Sequence, residues 1–268
     1  MKLSITVGTN DAFSGALVVF RGLEESLQTI ADLGYQGIEL ALFNKKNVNV
    51  KQLKNLLRET SLKLPVISTG QIFTMENAWF THPDKETRER AVEIFCGIIE
   101  VASEFGADIN VSRVRGYIHE EDTYDSAIEK LTECLEKVSS YAGNFGLNIL
   151  LEQMNRYETN YMFSAMDVGE YIRKTGIPNL KIHADLFHMN IEDVSIIGTL
   201  KEYKKELGYI HFADSNRLAP GSGNIDFKSV INTLEDINYE GWTGIEVLTK
   251  PDGYTAAKQS IEYLSSLS

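Results

Sequence analysis

Eight short apolar runs punctuate this chain, and the stretches between them carry apolar residues at helical spacing. The runs fall at residues 2–7, 37–40, 63–69, 107–114, 147–152, 179–185, 208–214 and 243–248. Most are continuous rather than alternating, as strands covered on both faces require. After the first, Leu23, Leu27, Ile30 and Leu33 line up on one helical face, and Gly34 stops that helix. Val92, Phe95, Ile99 and Ala102 draw the stripe of the longest helix, which opens near Pro83 and closes at Gly106. Further helices are expected over 50–60, 123–146, 164–176, 191–207 (with a break near Gly198), 227–239 and 254–267. Eight strand–helix units thus follow one another with no linker or low-complexity stretch. The pattern predicts an α/β fold, a (β/α)₈ barrel of the TIM type, with residues 1–268 as one domain. An open doubly wound sheet is the second choice. It usually has fewer strands, and no Gly-x-Gly-x-x-Gly turn follows the first run.

The polar residues closing the last four runs turn the question from fold to chemistry. Glu152, Asp185, His211 and Glu246 follow one another in steps of 33, 26 and 35 residues. Each step suits one crossover from a strand, through a helix, to the next parallel strand. All four side chains would then meet at the carboxyl edge of the barrel. Taken singly, an acid there is as readily a helix cap, and a histidine after apolar residues is ordinarily a satisfied core imidazole. Together, three carboxylates and an imidazole in one cavity repel each other unless a cation joins them. A hard divalent ion, which prefers oxygen and accepts nitrogen, resolves the conflict. Glu158, His188 and Arg217 follow in the adjoining loops, where substrate-facing groups belong. Arg113 and Arg115, at the end of the fourth run, are candidates to receive a substrate carboxylate.

Composition narrows the partners. With 26 basic and 38 acidic residues the net charge is −12, which opposes duplex nucleic acid and permits a neutral sugar. Cys96 and Cys134 lack metal-type spacing and are expected as reduced thiols in a cytoplasmic protein. The opening residues do not read as a signal peptide, and no apolar run reaches membrane-spanning length.

Four segments carry a resemblance: "EQMNRYE" (152–158), "DLFHMNIED" (185–193), "HFADSNRLAPGSGNIDF" (211–227) and "GIEV" (244–247). They resemble the ketose 3-epimerase family of the xylose-isomerase-like barrels, which includes tagatose and psicose epimerases. "TGQ" (69–71), "THP" (81–83) and "ADSNR" are similar to a branch acting on 5-keto-gluconate. The resemblance implies that Glu152, Asp185, His211 and Glu246 hold a divalent metal, manganese first, with cobalt and magnesium as alternatives. It implies that Glu152 and Glu246 also exchange protons with the substrate, and that Glu158, His188 and Arg217 hold its oxygens. A homo-oligomer, dimer or tetramer, is implied as well. Met154 stands where the family more often has leucine.

Mechanistic chemistry supports the same reading without the resemblance. The proton beside a ketone is too weakly acidic for a lone carboxylate, but a divalent ion stabilises the enediolate that forms. One glutamate can take the proton from one face while the other returns a proton to the opposite face. An aldose–ketose isomerase of the xylose or hydroxypyruvate type remains the alternative, since a shifted register would use a similar site. An apurinic-site endonuclease, a relative by fold, needs more than the five histidines present for its zinc cluster. A sugar-binding protein without catalysis would have no need of a complete ligand set.

Overall fold

The computed structural model describes residues 1–267. Nine parallel strands form one sheet: β1 (Lys2–Gly8), β2 (Phe20–Arg21), β3 (Gly37–Ala41), β4 (Lys63–Ser68), β5 (Asp108–Val111), β6 (Ile149–Glu152), β7 (Leu180–Asp185), β8 (Leu207–Phe212) and β9 (Trp242–Ile245). Neighbours run in order from β1 through β3 to β9, and β9 returns to β1 with Lys2 opposite Trp242 and Ile5 opposite Ile245. Eight strands therefore close a (β/α)₈ barrel. The two-residue β2 continues that seam beyond β9, pairing Val7 with Phe20. Closure leaves no free edge on which another chain could add a strand.

Helices clothe the outside: α1 (Leu23–Asp32), α2 (Val50–Thr60), α3 (Gln71–Met75), α4 (Lys85–Ser103), α5 (Tyr124–Gly143), α6 (Ala165–Thr175), α7 (Leu186–Glu192), α8 (Ile196–Glu202), α9 (Phe227–Asp236) and α10 (Gly253–Ser266). Their starts follow local chemistry. Asp84, Thr123, Ser164, Asp226 and Asp252 each accept a backbone N–H from the first turn of the helix they precede. On α4 the buried face is Ala91, Phe95, Ile98, Ile99 and Ala102, and Phe95 meets Phe80 with ring centroids 5.5 Å apart. None of the helices among the described residues is long and apolar enough to cross a membrane.

The barrel interior is layered. Val66, Leu150 and Tyr209, from β4, β6 and β8, form a small cluster apart from the main core, the alternate-strand layering expected of such barrels. Two residues further along β6 and β8 stand Glu152 and His211, so the interior turns from apolar to ionisable toward the carboxyl end.

Four expectations need correction. The fourth strand ends at Val111, and a single 3₁₀ turn, Arg113–Arg115, follows. The helix expected over 191–207 is two helices, and one of them begins directly after β7 at Leu186. Their break lies at residues 193–195, not at Gly198. There the Asp193 carboxylate leaves the helix axis to accept the Ala165 N–H (3.1 Å), and Ser195 caps a new helix by accepting from Gly198 N (3.0 Å). The last strand ends at Ile245, so Glu246 is the first residue beyond it.

Candidate metal centre and active site

Glu152 is the last residue of β6 and Asp185 the last of β7; His211 lies on β8, and Glu246 follows β9. Parallel register brings these ends side by side, with Glu152 opposite His183 and Asp185 opposite His211. One ligand atom from each of the four side chains lies within 4.8 Å of the others. His211 Nδ1 sits 3.6 Å from Glu152 Oε1, 3.6 Å from Asp185 Oδ2 and 3.6 Å from Glu246 Oε2. That nitrogen is buried and has no hydrogen-bond partner, an expensive condition for a polar atom. Three carboxylate oxygens around one unpartnered imidazole nitrogen suit a hard divalent ion. Asp185 also caps α7, its Oδ1 accepting from Phe187 N at 2.8 Å, so the helix-cap reading and the ligand reading hold for different oxygens.

The charges are unevenly distributed before any ion is added. Burial opposes ionisation of Glu152, yet the adjoining His183 and His211 rings outweigh it and pull the carboxyl down to about 2. His183 is itself held neutral, lowered to about 4 by burial and by the His211 charge. The charge facing Glu152 near neutrality is therefore that of His211. Burial also works against the His211 imidazolium, but Glu39 and Glu246 overcome it and raise the ring well above its ordinary value. Glu246 goes the other way. Burial pushes it up to about 8, and repulsion from Glu152 and Asp185 adds to that against the pull of His211 and Arg217. Two carboxyls in one cluster thus differ in readiness to hold a proton, the arrangement that separates an acid from a base.

Loops and α7 complete the cavity, which has a volume of about 280 Å³ and is lined on this side by Glu152, Met154, Glu158, His188, Arg217 and Glu246. His188 stands on α7, not in a loop as expected, because that helix begins directly after β7. His188 Nδ1 faces the Asn155 backbone N–H (3.3 Å), and His188 Nε2 faces Arg217 Nη1 (3.2 Å). Arg217 adopts φ 58°, and its guanidinium lies over the Phe187 ring at 4.6 Å. It donates to Glu246 Oε2 at 2.5 Å and to Asp185 Oδ2 at 3.4 Å, and stands 3.8 Å from Glu158 Oε1. The buried Asp214 holds the loop that carries it, accepting the backbone N–H groups of Ser215, Gly221 and Ile225.

Arg115 does not reach the cavity. It is fully buried, donates to the carbonyls of Glu152 (2.7 Å), Tyr161 (2.6 Å) and Met162 (3.3 Å), and stacks over Tyr161 at 4.3 Å. The expected contact with a substrate carboxylate is therefore corrected: every nearby acceptor is a protein carbonyl, and the residue braces the Glu152 backbone. Arg113, two residues earlier in the same turn, does line the cavity.

Two residues were missed in the sequence. Glu39 on β3 is fully buried, and its Oε2 accepts from His211 Nε2 at 2.7 Å and from the Tyr209 hydroxyl at 2.8 Å. An acid inside the apolar run "GIELA" was the available signal. Asn110 on β5 donates through Nδ2 to His183 Nδ1 (2.6 Å) and Glu152 Oε2 (3.3 Å), and no sequence pattern marks it.

Residues 27–267 match the family model of the xylose isomerase-like TIM barrel, and the chain belongs to that family. Among similar proteins, L-ribulose 3-epimerase of Methylomonas sp. (strain DH-1) is 28% identical over 231 residues, covering 82% of this chain and 76% of its own. The 3-dehydro-D-guloside 4-epimerase of Escherichia coli (strain K12) is 26% identical over 233 residues, covering 83% and 86%. The solved structure of D-allulose 3-epimerase from Methylomonas sp. in complex with D-allulose shares the fold, with TM-score 0.83 and 23% identity over 100% of this chain and 98% of that one. The relatives are thus epimerases of the family that the sequence resembles, enzymes of the isomerase class.

Proposed function

We propose that this protein is a divalent-metal-dependent sugar epimerase that inverts the carbon beside the ketone of a ketohexose or keto-uronate. The observation that carries the reading is the double placement of Glu152 and Glu246. Both converge on His211 Nδ1 and both line the cavity. In this reading Glu152, Asp185, His211 and Glu246 hold the ion, Mn²⁺ by preference, with Co²⁺ or Mg²⁺ as alternatives. When bound, the ion supplies an electrophile that stabilises negative charge developing on the ketone oxygen.

The chain's own groups do the rest. Glu152, ionised well into the acid range, removes the proton from the carbon beside the ketone. Glu246 delivers a proton to the opposite face through the carboxyl oxygen that ligation leaves free, and the return reaction exchanges the roles. Arg217 and His188 hold substrate oxygens, and Glu158 accepts from a hydroxyl. The loops above the strands keep the reacting carbon away from bulk water, which strengthens each of these contacts. Arg113 receives the terminal carboxylate when the substrate is a keto-uronate. No ion pair to it is present among the described residues, so its charge is available to the cavity. A reducing cytoplasm suits the two free cysteines.

Incubation with a panel of ketoses and keto-uronates in deuterated water with added Mn²⁺ tests the reading. An epimeric product with deuterium at the inverted carbon is expected. An aldose product would replace the epimerase by an aldose–ketose isomerase, and no turnover on any member would end both.

A further inference from the structure

Behind the four converging side chains stands a charged residue from a strand that contributes none of them. Glu39 lies in the middle of β3, fully buried, and among the described residues no lysine or arginine pairs with it. Its Oε2 takes two hydrogen bonds, from His211 Nε2 at 2.7 Å and from the Tyr209 hydroxyl at 2.8 Å. Tyr209 has spent its one proton on Glu39, so at its other contact it accepts from the Ser4 hydroxyl at 2.8 Å. Two donor runs therefore converge on Glu39 inside the barrel, Ser4 through Tyr209 from one side and His211 from the other.

A carboxylate bonded to one imidazole nitrogen has two effects on the other. When the imidazolium gives up one proton to take an ion, the carboxylate keeps the remaining proton on Nε2, so the lone pair belongs to Nδ1, and it makes that lone pair a stronger donor. Nδ1 is the atom that faces Glu152, Asp185 and Glu246 at 3.6 Å and has no partner of its own. The negative charge of Glu39 also lies close enough to be felt by an ion held on the far side of the ring.

We propose that Glu39 is a positioning residue for the metal centre: it fixes the tautomer and rotation of His211 and strengthens Nδ1 as a ligand, while Tyr209 holds Glu39 in place. The inference rests on reading the cluster as a metal site. A purely architectural Glu39, tying β3 to β8 through the barrel, would lower thermal stability and leave the affinity of folded protein for an ion unchanged.

The test is calorimetric titration of the metal-stripped full chain with MnCl₂, for wild type, Glu39→Gln and Tyr209→Phe, each with a thermal melt. Gln keeps the size of the side chain and surrenders its charge. Glu39→Gln is expected to weaken Mn²⁺ binding roughly 10–100-fold, and Tyr209→Phe to weaken it less, both in protein that still melts cooperatively. Unchanged Mn²⁺ affinity in folded Glu39→Gln overturns the proposal. Should Glu39→Gln not fold, unchanged affinity in Tyr209→Phe overturns it instead. Wild-type protein that takes up no Mn²⁺ overturns the metal reading together with this one, whereas indifferent variants beside a binding wild type overturn only this one.

Discussion

The two halves of the barrel contribute to the cavity in different ways. The carboxyl ends of β6, β7 and β8 and the residue after β9 bring together Glu152, Asp185, His211 and Glu246, which meet within 4.8 Å, with His183 of β7 beside them. Strands β1 to β5 bring none to that cluster. From this half come Glu39 and Asn110, which bond to His211 and Glu152 from beneath, and Phe13, Leu17, Gln71 and Arg113, which line the cavity. A shared ion, as proposed, needs its ligands at fixed positions, and the ends of the four strands of the second half supply one each. A wall needs only shape and one or two polar contacts, and many sequences supply that. On the proposed function, the reacting groups come from the second half, and the first half adds the remaining wall of the cavity.

The largest effect that would break this division is expected at the two glutamates. Glu152→Gln and Glu246→Gln should each lower kcat by about 10²–10⁴-fold; steady-state kinetics on whichever ketose the wild type turns over would show it. A loss confined to KM would mean that these residues only bind.

Next comes pH. Glu246 is held near 8 by burial and by its acidic neighbours, so it is mostly protonated at neutrality in metal-free protein. Its pKa lies above the ordinary carboxylate value, so its contribution to folding stability is complete below that value and is lost as pH rises through about 8. A proton must also leave before this carboxylate can ligate an ion. Mn²⁺ affinity should therefore increase from acid toward about pH 8, by up to roughly tenfold per pH unit for each proton released. His211, raised as well, must also give up a proton to ligate. Titrations in buffers of different ionisation enthalpy would count the protons, and a flat profile would show that neither Glu246 nor His211 is a ligand.

The wall is probed by smaller effects. Arg113→Ala should lower kcat/KM for a keto-uronate by roughly 10–100-fold, the value of one charged hydrogen bond, while a neutral ketohexose changes little. Equal losses on both substrates would remove Arg113 from substrate choice. Leu17→Ala should raise KM severalfold, at about 1 kcal/mol of lost apolar contact, and leave kcat in place.

What could be read in the sequence follows the same line. Apolar runs at regular intervals disclosed the closed barrel, because each strand is buried on both faces and must be apolar throughout. Glu152, Asp185, His211 and Glu246 stood out since each ends such a run, and the structure brings all four together. Glu39 was hidden because it sits inside its run, where an isolated acid carries no spacing signal. The arginine turn was misread for a geometric reason. Within Arg113–Arg115 a single 3₁₀ turn sends one guanidinium to the cavity and buries the other against the Glu152, Tyr161 and Met162 carbonyls. The break between α7 and α8 was placed at Gly198, whereas it belongs to Asp193 and Ser195, whose bonds are not apparent from helical periodicity.

A single ion shared by β6, β7, β8 and the residue after β9 is the central proposal. Titration of metal-stripped protein with Mn²⁺, wild type beside Asp185→Asn, tests that most directly. One ion per wild-type chain and a loss of affinity of at least about tenfold in Asp185→Asn is the predicted result. No uptake by wild type, or equal affinity in the two proteins, would contradict it.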